Sequence, residues 1–219
     1  MSPADAFDDA AIERLRLAAE EVAWLSGRGY GADEVGDLVA RHHGLSEAQR
    51  AALACGTCSE PQYRRRAARE LEAEDVARRP LAVDAVDALA AIEAALDGRP
   101  VLQTLDGTVR AFGASYAPGA RTDEAIDLLL ASAKELRPSI VRFYVDEASS
   151  SLRDRIASRA KEKKTKAEAV VAPSVAKALR KEPQVVSADA AVLDACAAWL
   201  NLVGPIVESI PNARIVRLQ

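Results

Sequence analysis

At Arg79-Pro80 the hydrophobic rhythm of the chain changes, and that change limits the folds open to it. Upstream, apolar residues recur at three- and four-residue spacing; downstream, short apolar runs alternate with helical stretches. The downstream rhythm is the signature of an α/β domain, in which helices connect the strands of a mostly parallel sheet. The chain is therefore expected to form a small all-α domain over 1–76, followed by an α/β domain over 77–219.

In the upstream part, Ile12, Leu15, Ala19, Val22 and Leu25 make a buried helical stripe, and Gly27-Arg-Gly-Tyr-Gly31 stops it. A second helix is expected over 33–42, with Val35, Leu38 and Val39 inward and Gly44 as the terminal glycine. Ser46 followed three residues later by Gln49 fits a capping box that opens a third helix. Short helices joined by tight glycine turns suggest a small bundle of the helix-turn-helix kind. The charged stretch Tyr63 to Asp75 reads as an exposed helix or linker.

Downstream, strands are expected near 81–84, 100–104, 140–145, 168–172, 184–187 and 205–210, and helices near 86–96, 123–136, 150–163, 174–181 and 190–201. Asp106-Gly107 is a tight-turn signal that makes 101–112 a hairpin. For the helix at 123–136, Thr122 is the expected N-cap and Ile126, Leu129, Leu130, Ala133 and Leu136 the buried face. With 49% apolar and 4% aromatic residues, the core must be built from Ala, Val, Leu and Ile. No apolar stretch reaches membrane-spanning length and the first residues are acidic, so a cytoplasmic protein without a membrane partner is expected. Three cysteines in 219 residues do not make a disulfide framework.

Aspartates recur where these strand-like runs end: Asp84 after Pro80-Leu-Ala-Val, Asp146 after Ile140-Val-Arg-Phe-Tyr-Val, and Asp189 after Gln184-Val-Val-Ser-Ala. Parallel strands bring such residues to one edge of the sheet, where carboxylates can hold Mg²⁺ or Mn²⁺ and the ion can activate a water. Asp87, Glu124 and Asp194 lie near helix starts and are further candidate ligands. Helix capping explains each aspartate separately, and this alternative stays open.

The segment from Leu81 to Ile210 resembles the PIN-like or NYN-like domain of a group of archaeal and bacterial proteins that join it to a small helical N-terminal domain. The resemblance is carried by Leu81-Ala-Val-Asp84-Ala-Val-Asp87-Ala-Leu, Ile92 to Val101, Asp106-Gly107, Phe143-Tyr-Val-Asp146 with Ser149 to Ser151, and Val185-Val-Ser-Ala-Asp189. In the helical part it rests on Leu25 to Tyr30 and Leu38 to Ser46. It implies a PIN-like, doubly wound α/β fold with a mostly parallel sheet and metal-dependent RNA cleavage, with Asp84, Asp146 and Asp189 as catalytic ligands. The relatives read Asp-Gly-Tyr-Asn after the first strand, whereas this chain reads Asp84-Ala-Val-Asp87, which keeps an oxygen ligand, adds a charge, and loses a glycine and an aromatic ring.

The net charge of −4 gives no global attraction to RNA, so contacts must come from local basic patches. Arg64, Arg65 and Arg66 with Arg69 beside Tyr63 form one, and Lys161, Lys163 and Lys164 with Lys166 form another; charged, solvated helix faces are the competing explanation. His42 and His43 precede Cys55-Gly-Thr-Cys58 at a zinc-like interval, but an isolated C-x-x-C is a weak signal and zinc is not expected. Cys196 reads as a core residue. Both histidines lie in the helical part, so the α/β domain has no His-based triad. The expected function is a metal-dependent ribonuclease, and a homodimer is compatible with it. The alternatives are a catalytically silent nucleic-acid-binding or regulatory module, or a phosphorylated-ligand site that lacks the usual Gly-rich loop.

Overall fold

Leu81, Ala82 and Val83 are each completely buried, which only a strand covered on both faces permits. This strand, β1 (Pro80–Asp84), lies near the middle of a four-stranded parallel sheet. The computed structural model describes residues 5–112 and 116–219. Parallel to β1 run β4 (Ile140–Val145) on one side and β6 (Val185–Val186) on the other, with β5 (Ala167–Val171) beyond β4. Alternation sends Leu81, Val83, Val141, Phe143 and Val186 to one face, where they meet α5 (Ala85–Leu96), α6 (Thr122–Glu135), α7 (Ser151–Glu162) and α10 (Val203–Ser209). Ala82, Tyr144 and Val185 face the other way, against α8 (Val175–Leu179), α9 (Ala190–Leu193) and Trp199. The chain thus winds outward from β1 to β5 and returns to β6 at the other flank of β1. The crevice between β1 and β6 is where the strand order reverses.

A second sheet joins β2 (Val101–Gln103) antiparallel to β3 (Val109–Ala111) and parallel to β7 (Ile215–Arg217). The expected hairpin is present, with Gly107 supplying the positive φ of its turn. The upstream helices are α1 (Asp9–Gly27), α2 (Ala32–His42), α3 (Glu47–Gly56) and α4 (Glu60–Ala67). Ser46 and Gln49 form the expected capping box, and Ser59 with Gln62 forms a second one that starts α4. Leu38 is 57% exposed, so the inward face of α2 is Val35, Val39 and Ala40 instead. Among the described residues no helix is long and apolar enough to cross a membrane.

Four sequence expectations are revised by tertiary contacts. The segment 205–210 is helical: Val203, Ile206, Val207 and Ile210 have helical spacing, and Pro205 sits in the first turn, where its missing N–H costs nothing. The helix expected over 190–201 stops at Leu193, because the backbones of Ala198 and Leu200 are claimed by Val185 and that of Trp199 by Arg69 and Leu71. Thr122 lies inside α6 rather than capping it; its hydroxyl accepts from Gly119 N–H and donates to the buried carboxylate of Glu93. The short strand β7 was not anticipated.

The two expected units share their interiors. Leu102, Val216 and Leu218 of the second sheet pack with Leu15, Val22, Val39 and Leu53 of the helices, while Leu71 and Val76 pack into the α/β core. A Cβ on Gly56 would stand 2.5 Å from the Leu218 side chain and 3.0 Å from that of Leu102, so α3 meets that sheet closely enough that any larger residue would have to displace Leu218. Arg66, 3% exposed, reaches out of α4 to Asp106 of the hairpin turn (2.5 Å) and Asp194 after α9 (2.7 Å). Burial alone would raise the Asp106 carboxyl, but the hydroxyls of Thr104 and Thr108 and the Arg66 guanidinium bring it below its ordinary value. Trp199 adds an indole hydrogen bond to the Arg66 carbonyl (2.8 Å). Arg66→Met leaves two carboxylates without their cation and should cost about 3–5 kcal/mol in urea unfolding at neutral pH. The loss should shrink below about pH 4.5, where the stranded carboxylates take up protons; a loss independent of pH would show that packing, not charge, is what Arg66 supplies.

Candidate functional site

Asp84 is the last residue of β1 and the N-cap of α5, two roles that fix its carboxylate at the C-terminal edge of the sheet. Its Oδ1 accepts from the Asp87 N–H (3.4 Å), and its Oδ2 accepts from the Ser187 hydroxyl (3.5 Å). On the other side of the crevice Asp189 caps α9, accepting from the N–H groups of Ala191 (2.6 Å) and Val192 (3.3 Å). Ser187 links the two, because its hydroxyl also accepts the Asp189 N–H (3.1 Å). The switch point is therefore lined by Asp84, Asp87, Ser187 and Asp189. Beside it lies a cavity of about 10 Å³ bordered by Asp87, Thr108, Ser187 and Asn201, roughly the room one water needs.

These acids burden one another. Burial, followed by the charge of Asp87 and then of Asp189, pushes the Asp84 carboxyl up to about 8, against the smaller opposing pull of its hydrogen bonds. Asp87 is raised as well, by burial and by Asp189, with Arg110 of β3 as the cation that opposes the rise. A buried acid whose carboxyl is raised, in a crevice where strand order reverses, is a candidate functional position.

The other expected residues are placed differently. Asp146 ends β4 at the same edge, two residues beyond the Tyr144 that pairs with Asp84, but it is exposed and its carboxylate caps the Ser149 N–H (2.8 Å). Glu124 lies on the surface of α6 and is paired with Arg121 (2.5 Å). Asp194 is taken by Arg66. The structure thus brings Asp84, Asp87 and Asp189 together, and leaves Asp146, Glu124 and Asp194 outside that group. Among the described residues, no group of three His, Cys, Asp or Glu side chains stands ready to hold a metal ion.

The expected basic patches are also displaced. Arg66 is buried in its ion pairs, Arg64 is paired with Glu60 (2.7 Å), and only Arg65 of the three is free of such a partner among the described residues and exposed. Lys161 lies in the last turn of α7 and Lys163 and Lys164 just past its end, and the 12 residues of that helix carry the chain about 18 Å away from the acidic edge toward the start of β5. Lys163 is paired there with Asp127 (2.9 Å). In the helical part His43 contacts Glu21 (3.1 Å), and burial pushes the Cys58 thiol up to about 11, away from thiolate chemistry. Cys196 is a core residue, as expected. Sequence reasoning missed Ser187 and Arg110. The alternation of β3 offered a signal for Arg110, since an arginine between Val109 and Ala111 must leave the face those residues bury.

Two family models match the chain. Residues 73–205 match one described as Domain of unknown function (DUF5616), and residues 14–69 match one described as Protein of unknown function (DUF434). No curated protein and no solved structure matches it.

The raised Asp84 carboxyl has a consequence for stability. Between its ordinary value of 3.8 and about 8 the folded protein keeps a proton that the unfolded chain has released, so stability falls as pH rises through that window and levels off above it. Asp84→Asn removes the titration. Unfolded by urea in chelator, the variant should therefore gain on the wild type between about pH 5 and about pH 8.5; parallel profiles would mean that Asp84 is ionised throughout.

Proposed function

The chain belongs to the DUF5616 family, whose model spans more than half of it, and we propose that its α/β part is a PIN-like, divalent-cation-dependent ribonuclease centred on Asp84, Asp87 and Asp189. The observation that carries this reading is the placing of Asp84 at the end of β1, Asp87 in the first turn of α5 and Asp189 after β6 around the crevice where the sheet order reverses, near enough for charge to pass between them. The substrate class comes from the resemblance of 81–210 to PIN-like domains.

The donor set fits Mg²⁺ or Mn²⁺. It consists of hard oxygens, and Mg²⁺ is commonly held by one or two carboxylates with water completing its shell, so a ready-made three-residue cage is not required. Asp84 and Asp189 would be the direct ligands, with Asp87 acting through water. A cation bound there polarises the phosphodiester and makes a water more acidic. The remaining work belongs to the chain. Asp84, held protonated by burial and by the charges of Asp87 and Asp189, would give up its proton to hold a cation, whose charge would offset both. Ser187 keeps the β1 and β6 ends at a fixed separation through its two hydrogen bonds. Asp87, raised by burial, is a stronger base than an ordinary carboxylate and would take the proton of the attacking water.

A second reading is favoured by the capping geometry. Asp84 and Asp189 both satisfy helix N-termini, which accounts for their positions in a silent RNA-binding module. Cleavage decides between the two. Wild type should cut total RNA in Mn²⁺ and stop in chelator, and Asp84→Asn and Asp189→Asn should each lose about 100-fold in rate, the order typical of a disturbed metal site. Glu124→Gln, on the surface of α6, should leave the rate unchanged. RNA retention without cutting would establish the silent module, and equal residual cutting by both Asp variants would reveal a contaminant.

A further inference from the structure

Three carboxylates in one crevice repel the phosphate they are meant to cut, so the site needs a cation of its own besides any bound metal. The arginines nearest in kind are spent: Arg66, Arg121, Arg142, Arg155 and Arg159 each contact a carboxylate. Arg110 differs. It is the middle residue of β3, between Val109, which is buried in the α/β core, and Ala111. Strand alternation turns it to the opposite face, where Nη1 lies 3.5 Å from the Cys55 carbonyl near the end of α3. That long contact is the one hydrogen bond its side chain makes among the described residues, and the residue is half-exposed.

Arg110 also adjoins the crevice. The two residues before it, Thr108 and Val109, border the small cavity together with Asp87 and Ser187. Its strand pairs with β2, and the turn between them is fixed by Asp106 in the Arg66 ion pair, so Arg110 is held by a rigid hairpin. Its charge is felt at both Asp87 and Cys55.

We propose that Arg110 is the phosphate-binding residue of this site, its guanidinium receiving a phosphate of a single RNA strand laid between the end of α3 and the Asp84–Asp87–Asp189 crevice. The planar fork of arginine suits two phosphate oxygens at once, and the half-exposed position allows a strand to reach it. The choice of RNA rests on the ribonuclease reading; the anion subsite rests on the placement of Arg110. The proposal also gives the helical part a role, since α3 forms the far wall of the path.

The test separates binding from cutting. Full-length protein is titrated with a fluorescent single-stranded RNA oligonucleotide in chelator, by anisotropy, over a series of salt concentrations. Arg110→Ala should bind about tenfold more weakly, the worth of one charged hydrogen-bonded contact. It should also flatten the slope of log affinity against log salt by about 0.7, the loss of one phosphate contact to a single strand. Arg110→Lys keeps the charge and should keep the slope, and Lys161→Ala, at the far end of α7, should change neither quantity. A merely structural Arg110 would lower the melting temperature without changing the slope. The proposal is overturned if wild type does not bind the oligonucleotide, if Arg110→Ala matches wild type in affinity and slope, or if Arg110→Lys is as flat as the alanine variant. Expected binding results without Mn²⁺-dependent cutting would sink the ribonuclease reading and keep the subsite. Cutting by wild type with an unchanged KM in Arg110→Ala would do the reverse.

Discussion

The guanidinium of Arg66, clamped between Asp106 and Asp194, is the contact on which the relation of helices to sheets depends. Both carboxylates belong to the α/β part and the cation to the helical part, so neither side can leave without stranding charge in the interior. The clamp acts beyond its own atoms. Asp106 sits in the turn of the β2–β3 hairpin, and with its bonds to Thr104 and Thr108 it holds that hairpin rigid. The same hairpin carries Arg110 and borders the cavity beside Asp87. A side chain from the upstream helices thus sets the geometry of a crevice whose acids come from the other half of the sequence.

What the sequence revealed and what it hid divide along physical lines. Local signals were dependable: the capping box at Ser46, the turn at Asp106-Gly107, the buried run before Asp84 and the stripe of α6 all depend on neighbours within a few residues. Contacts that span the chain were not legible. The stretch around Trp199 is pulled out of an expected helix because Ala198 and Leu200 bond to Val185 and Trp199 bonds to Arg69 and Leu71, and nothing between 190 and 201 announces those partners. Pro205 with Val203, Ile206 and Val207 did carry a helical period, which a short apolar run expected as a strand hides.

The site was legible in the same uneven way. Strand-terminal aspartates predicted the edge, because parallel strands share a direction. They did not predict which acids meet there, since that depends on where the sheet order reverses. β6 returns beside β1, which brings Asp189 into the group; Asp146, on the outward-winding strand, turns to its own loop. Arginines were read as an RNA surface when contiguous in sequence, yet helical periodicity sends Arg64, Arg65 and Arg66 in different directions, and one of them inward. The cation beside the acids comes singly, from a strand.

The bridge that Trp199 makes with Val185 and Glu70 closes one flank of the four-stranded sheet. β6 is only two residues long, and its outer hydrogen-bonding groups are taken up by Ala198 to Leu200, which are in turn paired with the linker from α4. The sheet therefore has a covered flank and an open one. The open flank is β5, where Glu168 is held across the strand by Arg142 and charged residues interrupt the apolar face. Among the described residues, strand-to-strand association through the four-stranded sheet is left with the β5 edge, and that edge carries the charges that discourage it.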